Sequence, residues 1–194
     1  MDGWIWIVIG AVIVVLVVAV VAAYVLRQQR RRAELRETFG AEYELAVARE
    51  GDVRRGESDL IARRKRRDKL DIRPLSPSSR DEYARTWEQT QARFVDDPAD
   101  ALRRADTLII AVMRERGYPM DDFEQRADDI SVDHPDVVQH YRSAHAVSTR
   151  VDGHRDESTG TNVSTEDMRL GLVHYRALFQ QLLEPEASER QAIG

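Results

Sequence analysis

From Gly3 to Leu26 the chain presents 24 residues without a charge, and charged positions return only at Arg27. A helix needs about 20 apolar residues to cross the hydrocarbon layer of a bilayer, so this run is long enough to span one with some tilt. The pattern predicts a helix that continues through the following arginines to Phe39, with Gly40 as its stop. From Ala41 to Asp71 apolar residues are widely spaced (Tyr43, Val47, Val53, Leu60, Ile61, Leu70) and keep no sustained heptad. Charges at helical spacing, Glu50 with Arg54 and Asp59 with Arg63, predict a solvated helix weakened between Gly51 and Gly56. Such a segment suits a stalk, a packed arm or half of a coiled coil.

Beyond Asp71 the apolar positions recur at intervals of three and four. Ser76 before Pro77 is a cap followed by a first-turn proline, predicting a helix to about Phe94 with Tyr83, Trp87 and Phe94 on one face. Asp97 and Pro98 repeat the device. Ala101, Leu102, Ala105, Leu108, Ile109, Val112 and Met113 then form the clearest amphipathic stripe, ending at Gly117. A short acidic helix is expected from about Asp121 to Asp129, and another opening at Asp133-His134-Pro135 with Val137, Val138, Tyr141, Ala144, Val147 and Val151 inward. The polar stretch Asp152 to Val163 reads as an exposed loop. Ser164 with Asp167 predicts a capped start to a last helix, whose stripe is Met168, Leu172, Tyr175, Leu178, Phe179 and Leu182. No run of alternating apolar and β-branched residues outside the first segment reads as a strand, so the fold class expected is all-α.

Two readings compete for the uncharged segment. A cleavable export signal carries its positive charge before a core of 7 to 15 residues. Here Asp2 precedes the core, the core is longer, and Arg27, Arg30, Arg31, Arg32 and Arg36 follow it. Those features favour a retained transmembrane anchor over an exported protein with a signal peptide. Basic residues remain on the cytoplasmic side, so the N-terminus should face outward and the rest of the chain should lie in the cytoplasm of a plasma-membrane protein. Trp4 and Trp6 suit the outer interfacial belt and Tyr24 the inner one. Ala19 and Ala23 form a small-xxx-small pair through which two such helices can approach, leaving a homo-oligomer open.

Charge sharpens this picture. The net charge of -5 divides into +4 from Arg27 to Ile72 (14 basic, 10 acidic) and -8 from Arg73 to Gly194 (15 basic, 23 acidic), with Asp2 making the balance. An anionic inner leaflet attracts the first segment and repels the second. The acidity of the second also argues against nucleic acid as a partner. The chain has no cysteine, which excludes disulfides, thiolate catalysis and cysteine-ligated metal.

Candidate chemistry is sparse. His140 and His145 are five apart and fall on different sides of a helix, and the His-Glu-x-x-His pattern is absent. Asp121, Asp122, Glu124, Asp128, Asp129, Asp133 and Asp136 crowd one region, where helix starts and solvated faces account for them. Asp152 to Val163 fails as a calcium loop, with Glu157 where glycine is needed and Val163 where glutamate is. Arg63-Arg64-Lys65-Arg66-Arg67 circles every side of a helix, and a helix continuing the anchor would hold it about 55 Å from the bilayer. Solvation and pairing with the acidic distal part is the reading preferred over lipid or nucleic-acid contact. No phosphate-cradling loop, nucleophile elbow or kinase signature is present. No catalytic residue, metal ligand or cofactor is assigned.

Phe39-Gly40-Ala41-Glu42-Tyr43, Asp71 to Ser76, Arg93 to Pro98, Met113 to Pro119 and Ser131 to Pro135 occur in that order along the chain. Together they resemble an uncharacterised family of single-pass membrane proteins from high-GC Gram-positive bacteria. The resemblance implies a bacterial plasma membrane and supplies no activity. The expected organisation is an anchor (1–26), a basic juxtamembrane helical segment (27–72), a small cytoplasmic helical bundle (73–184) and a flexible tail (185–194). The function expected is that of an adaptor or scaffold whose partners are the lipid bilayer and a protein. The alternative is a tethered enzyme or ligand-binding module with a site between helices, drawing on His134, His140, His145 or the acidic cluster.

Overall fold

The computed structural model describes residues 3–153 and 163–184; the side chains of residues 3, 5–12 and 14 fall outside that description. Among the described residues there are eight helices and no strand: α1 (Gly3–Phe39), α2 (Ala41–Glu50), α3 (Val53–Arg67), α4 (Pro77–Arg93), α5 (Pro98–Arg116), α6 (Phe123–Asp133), α7 (Val138–Gly153) and α8 (Thr165–Leu183). The expected loop 152–163 lies outside the described residues except at its two ends, and the expected tail 185–194 lies outside them altogether. Among the described residues, no helix is long and apolar enough to cross a membrane. The chain forms two compact units, Met1–Leu60 and Ile61–Gly194. The polar segment from Ala41 to Asp71, read as a stalk, a packed arm or half of a coiled coil, is therefore shared between them.

In the first unit, Gly40 (φ 50°) ends α1 and Gly51 (φ 66°) ends α2, both in backbone that side chains other than glycine adopt poorly. The expected weak point at Gly51 to Gly56 is thus a full break. Leu35, Phe39, Tyr43, Ala46 and Leu60 are buried, so this segment packs as an arm with a small core of its own. Tyr43 also lies under the Arg36 guanidinium, 4.9 Å from the ring centre.

Gly56 has a different reason to be glycine. A Cβ there would lie 2.8 Å from the Val47 Cα, a backbone atom that cannot yield without parting α2 from α3. We expect Gly56→Ala to destabilise the unit by about 1–3 kcal/mol, the usual cost of overpacking. Chemical denaturation followed by the fluorescence of a probe in this unit would measure it.

The second unit is organised around α5. Ala101, Leu102, Ala105, Ile109, Val112 and Met113 are fully buried, which is the stripe read from the sequence. α4, α7 and α8 pack on α5, α8 also lies along α7, and α6 packs on α7. Ser76 and Asp97 cap α4 and α5 through the backbone N–H groups of Ser79 and Asp100. Ser164 and Asp167 close a reciprocal capping box at α8. One boundary differs from expectation. α6 begins behind the cap Asp122 and runs on to Asp133, so Asp133 ends one helix instead of opening the next, and α7 starts only at Val138. The side-chain partners of Asp133 explain the difference.

Candidate functional site

The acidic cluster sits on α6, and the basic run on the last turns of α3 faces it within the second unit. Arg63 is 1% exposed and places Nη1 2.6 Å from Asp128 Oδ1, which also receives Arg142 Nη2 at 3.4 Å. Arg67 Nε donates to Asp133 Oδ1 at 2.6 Å, while Tyr118 donates its hydroxyl to the other oxygen of Asp133 at 2.8 Å. Asp129 accepts from Gln125 at 2.9 Å and has Arg66 Nε 3.8 Å away. Burial lifts the Asp129 carboxyl above the usual carboxylate range, against the opposing pull of Gln125 and Arg66. Arg64 and Lys65 point outward. Helical periodicity produces this division, because positions 63, 66 and 67 share a face that 64 and 65 do not.

The expected pairing of the basic run with the acidic distal part is thus present at Arg63, Arg66 and Arg67, whereas the single helix continuing from the uncharged segment is not. α1 stops at Gly40, so α3 is not a continuation of it, and three of the five basic residues hold the helical domain together. The carboxylates of Asp128 and Asp133 each lie 2.6 Å from a guanidinium and are engaged by it. Among the described residues no group of three or more histidines and carboxylates converges on a metal position.

The histidines fall in two places. His140 on α7 and His174 on α8 bring their Nδ1 atoms to 2.7 Å, an arrangement that requires one ring to carry the proton and the other to accept it. His145 stacks on Phe123 with ring centres 3.6 Å apart, and its Nδ1 lies 3.9 Å from Asp106 Oδ1. Asp106 accepts a 2.7 Å hydrogen bond from Tyr175, whose hydroxyl is pushed far above its ordinary pKa by burial and by that carboxylate. His134 caps the end of α6. Asp106 carried no signal in the sequence, since it meets Tyr175 and His145 from another helix.

Burial, and secondarily the charge of His140, holds His174 below its ordinary value of 6.5. Above pH 6.5 neither the folded nor the unfolded chain charges this ring. As pH falls below 6.5 the unfolded chain takes the proton first, so stability should decline with acidification. His174→Gln should flatten that decline, as read from thermal unfolding midpoints at a series of pH values.

Two surface clefts open on the second unit. One, of about 620 Å³, opens beside the Phe123–His145 stack and is lined by Asp122, Glu124, Arg142 and Arg150. The other, of about 770 Å³, lies between α4 and α8 over the stacked rings of Trp87 and Phe179, 4.6 Å between centres. Its rim carries Glu88, Gln91, Arg176 and Gln180.

In the first unit the buried polar centre is Glu57, 4% exposed. Its Oε1 accepts from the Tyr43 hydroxyl at 3.0 Å and forms an ion pair with Arg32, whose Nε lies 3.0 Å away, and its Oε2 accepts from Gln28 at 3.2 Å. Of the five arginines expected to flank a membrane, Arg32 is thus turned inward, while Arg27, Arg30, Arg31 and Arg36 are exposed. Trp4 and Tyr24 are 75% and 63% exposed; the side chain of Trp6 lies outside the described residues.

No family model, curated protein or solved structure matches this chain.

Proposed function

We propose that this is a single-pass plasma-membrane protein, N-terminus outside, whose cytoplasmic helical domain serves as an adaptor or scaffold for a protein partner. One observation carries the anchoring part. Ile13, Val15, Leu16, Val17, Val18, Val20, Val21, Val25 and Leu26 are each at least 44% exposed, a continuous apolar surface around α1 that no described residue of the chain covers. Soluble proteins rarely expose so large an apolar patch. Together with the uncharged run from Gly3 and the arginines behind it, a bilayer is the solvent that suits this surface. Ala19 and Ala23 lie on the same surface, and self-association through them belongs to this reading. A bacterial plasma membrane is the address implied by the family resemblance.

The adaptor reading is supported by how the polar groups are used. Asp106, Asp128 and Asp133 are each engaged by a tyrosine or an arginine, which makes the domain a rigid helical platform. Proximity labelling from the C-terminus should recover a reproducible set of membrane-associated proteins. Enrichment no better than that of an anchor lacking residues 61–194 would count against the adaptor role.

The convergence of His140 and His174 favours a second reading, a small-ligand or metal module. Thermal stabilisation by zinc or copper that disappears in His140→Gln would support it, and no shift with any metal, nucleotide or phosphate would remove it.

A further inference from the structure

The first unit folds back on itself in a defined register. Gly40 reverses the chain directly after α1, and Arg36 of α1 then meets Glu44 of α2 at 3.5 Å and the ring of Tyr43 at 4.9 Å. A second contact fixes the same direction independently. Gly56 of α3 packs against Val47 of α2, and the neighbouring Glu57 reaches Arg32 and Gln28 of α1 at 3.0 and 3.2 Å. The α2–α3 turn therefore returns to the end of α1 that adjoins the uncharged run.

At about 1.5 Å per residue, Gln28, which donates to Glu57, stands about 3 Å along the helix from Leu26, the last apolar residue of that run. The headgroup layer on each side of a bilayer is about 5–8 Å thick. The turn and the first residues of α3 thus lie at headgroup depth when Gly3 to Leu26 spans the hydrocarbon. Five exposed arginines gather there: Arg27, Arg30 and Arg31 from α1, Arg54 and Arg55 from the start of α3. None of the five forms a side-chain ion pair among the described residues. Asp52 is the acidic residue of the turn, and its carboxylate accepts the backbone N–H of Arg55 as a helix cap. Val53, 38% exposed, is the apolar residue at the tip.

We propose that the α2–α3 turn and the adjoining face of α1 form one cationic surface that binds anionic lipid headgroups of the inner leaflet. Val53 enters the interface, and Arg54 and Arg55 reach phosphates beyond those met by Arg27, Arg30 and Arg31. This rests on the anchoring reading above. Its consequence for the fold is that Glu57, by tying α3 to Gln28 and Arg32, sets the height of the second group of arginines. Without that buried carboxylate, the turn has no defined depth. The surface belongs to a lipid more than to a free phosphate because its two halves are arrayed around a helix that leaves the bilayer at that point, each arginine within a Debye length of about 8 Å of the leaflet.

The chain has no cysteine, so a single introduced thiol reports one place. Full-length protein carrying Val53→Cys with a fluorescent label would be reconstituted into neutral phosphatidylcholine vesicles and into vesicles with added phosphatidylglycerol, each containing headgroup-spin-labelled lipid as quencher. Quenching should be strong only with the anionic lipid, should weaken with salt, and should not respond to millimolar inorganic phosphate. Arg54→Gln with Arg55→Gln should lower the contact equilibrium about fivefold per arginine. Glu57→Gln should reduce quenching while all five arginines remain. Equal quenching in neutral vesicles, unchanged quenching in the double variant, or competition by free phosphate would each overturn the proposal. A label at Tyr24→Cys separates the two readings. If that label lies at the lipid interface while the one at position 53 is unquenched, the anchor stands and the headgroup surface is wrong. If both labels report water, the anchoring reading is wrong and this one goes with it.

Discussion

Asp128→Ala should be the most damaging single change in the helical domain, with a loss of about 3–5 kcal/mol in unfolding free energy. The reason is asymmetric. A carboxylate 2.6 Å from a guanidinium that is 1% exposed contributes little net stability over an apolar pair of the same shape, because both ions have been taken from water. Removing the carboxylate alone leaves Arg63 charged, since a guanidinium does not lose its proton in a protein. The contact of Arg63 Nη1 with Ser131 Oγ, at 3.5 Å, is too long to replace an ion pair. Arg142 loses an anionic partner at the same time. Domains of this size are stable by about 5–15 kcal/mol, so the variant should unfold at markedly lower urea concentration. Asp128→Leu combined with Arg63→Met should recover most of the loss. If the double variant is as unstable as the single one, stranding of the buried charge is not the cause.

Gly117→Ala is expected to cost about 3 kcal/mol in the same assay. Gly117 closes α5 with φ 96°, where a side chain costs about 1–2 kcal/mol. Its N–H and that of Tyr118 return to the carbonyls of Arg114 and Met113, so the residue cannot change conformation without releasing the helix end. The second contribution is steric. An added Cβ would run into the carbonyl oxygen of Asp71, in a segment pinned where the Arg73 N–H donates to the Arg116 carbonyl at 2.8 Å. Neither side of that contact is a flexible side chain, so relief requires parting the 71–73 segment from the end of α5. Gly153→Ala, where nothing lies within 4 Å of the new Cβ, serves as the control and should change stability far less.

The devices that end and begin helices were legible in the sequence because they are local. Ser76 with Pro77, Asp97 with Pro98, and Ser164 with Asp167 act over three residues, and each caps the helix it announces. The α5 stripe was legible for a related reason, since one face of one helix repeats the same environment. Other features depend on partners far along the chain. Arg63 meets Asp128 across 65 positions and His140 meets His174 across 34, so neither spacing carries a signal of the contact. The α6 boundary was misplaced because Asp133 resembles a helix opener beside His134 and Pro135, whereas its carboxylate accepts from Arg67 and Tyr118. Gly56 read as a weak point in a helix. It marks a close approach instead, and only the position of Val47 reveals that.

Membrane anchorage with the helical domain inside the cell is the central claim, and one cysteine tests it directly. Val95, 86% exposed between α4 and α5, tolerates Val95→Cys and presents the thiol to solvent. A membrane-impermeant maleimide should leave this variant unlabelled in intact cells and label it after permeabilisation, with the protein remaining in the membrane fraction through alkaline carbonate. Labelling of intact cells, or release of the protein by carbonate, would contradict the account.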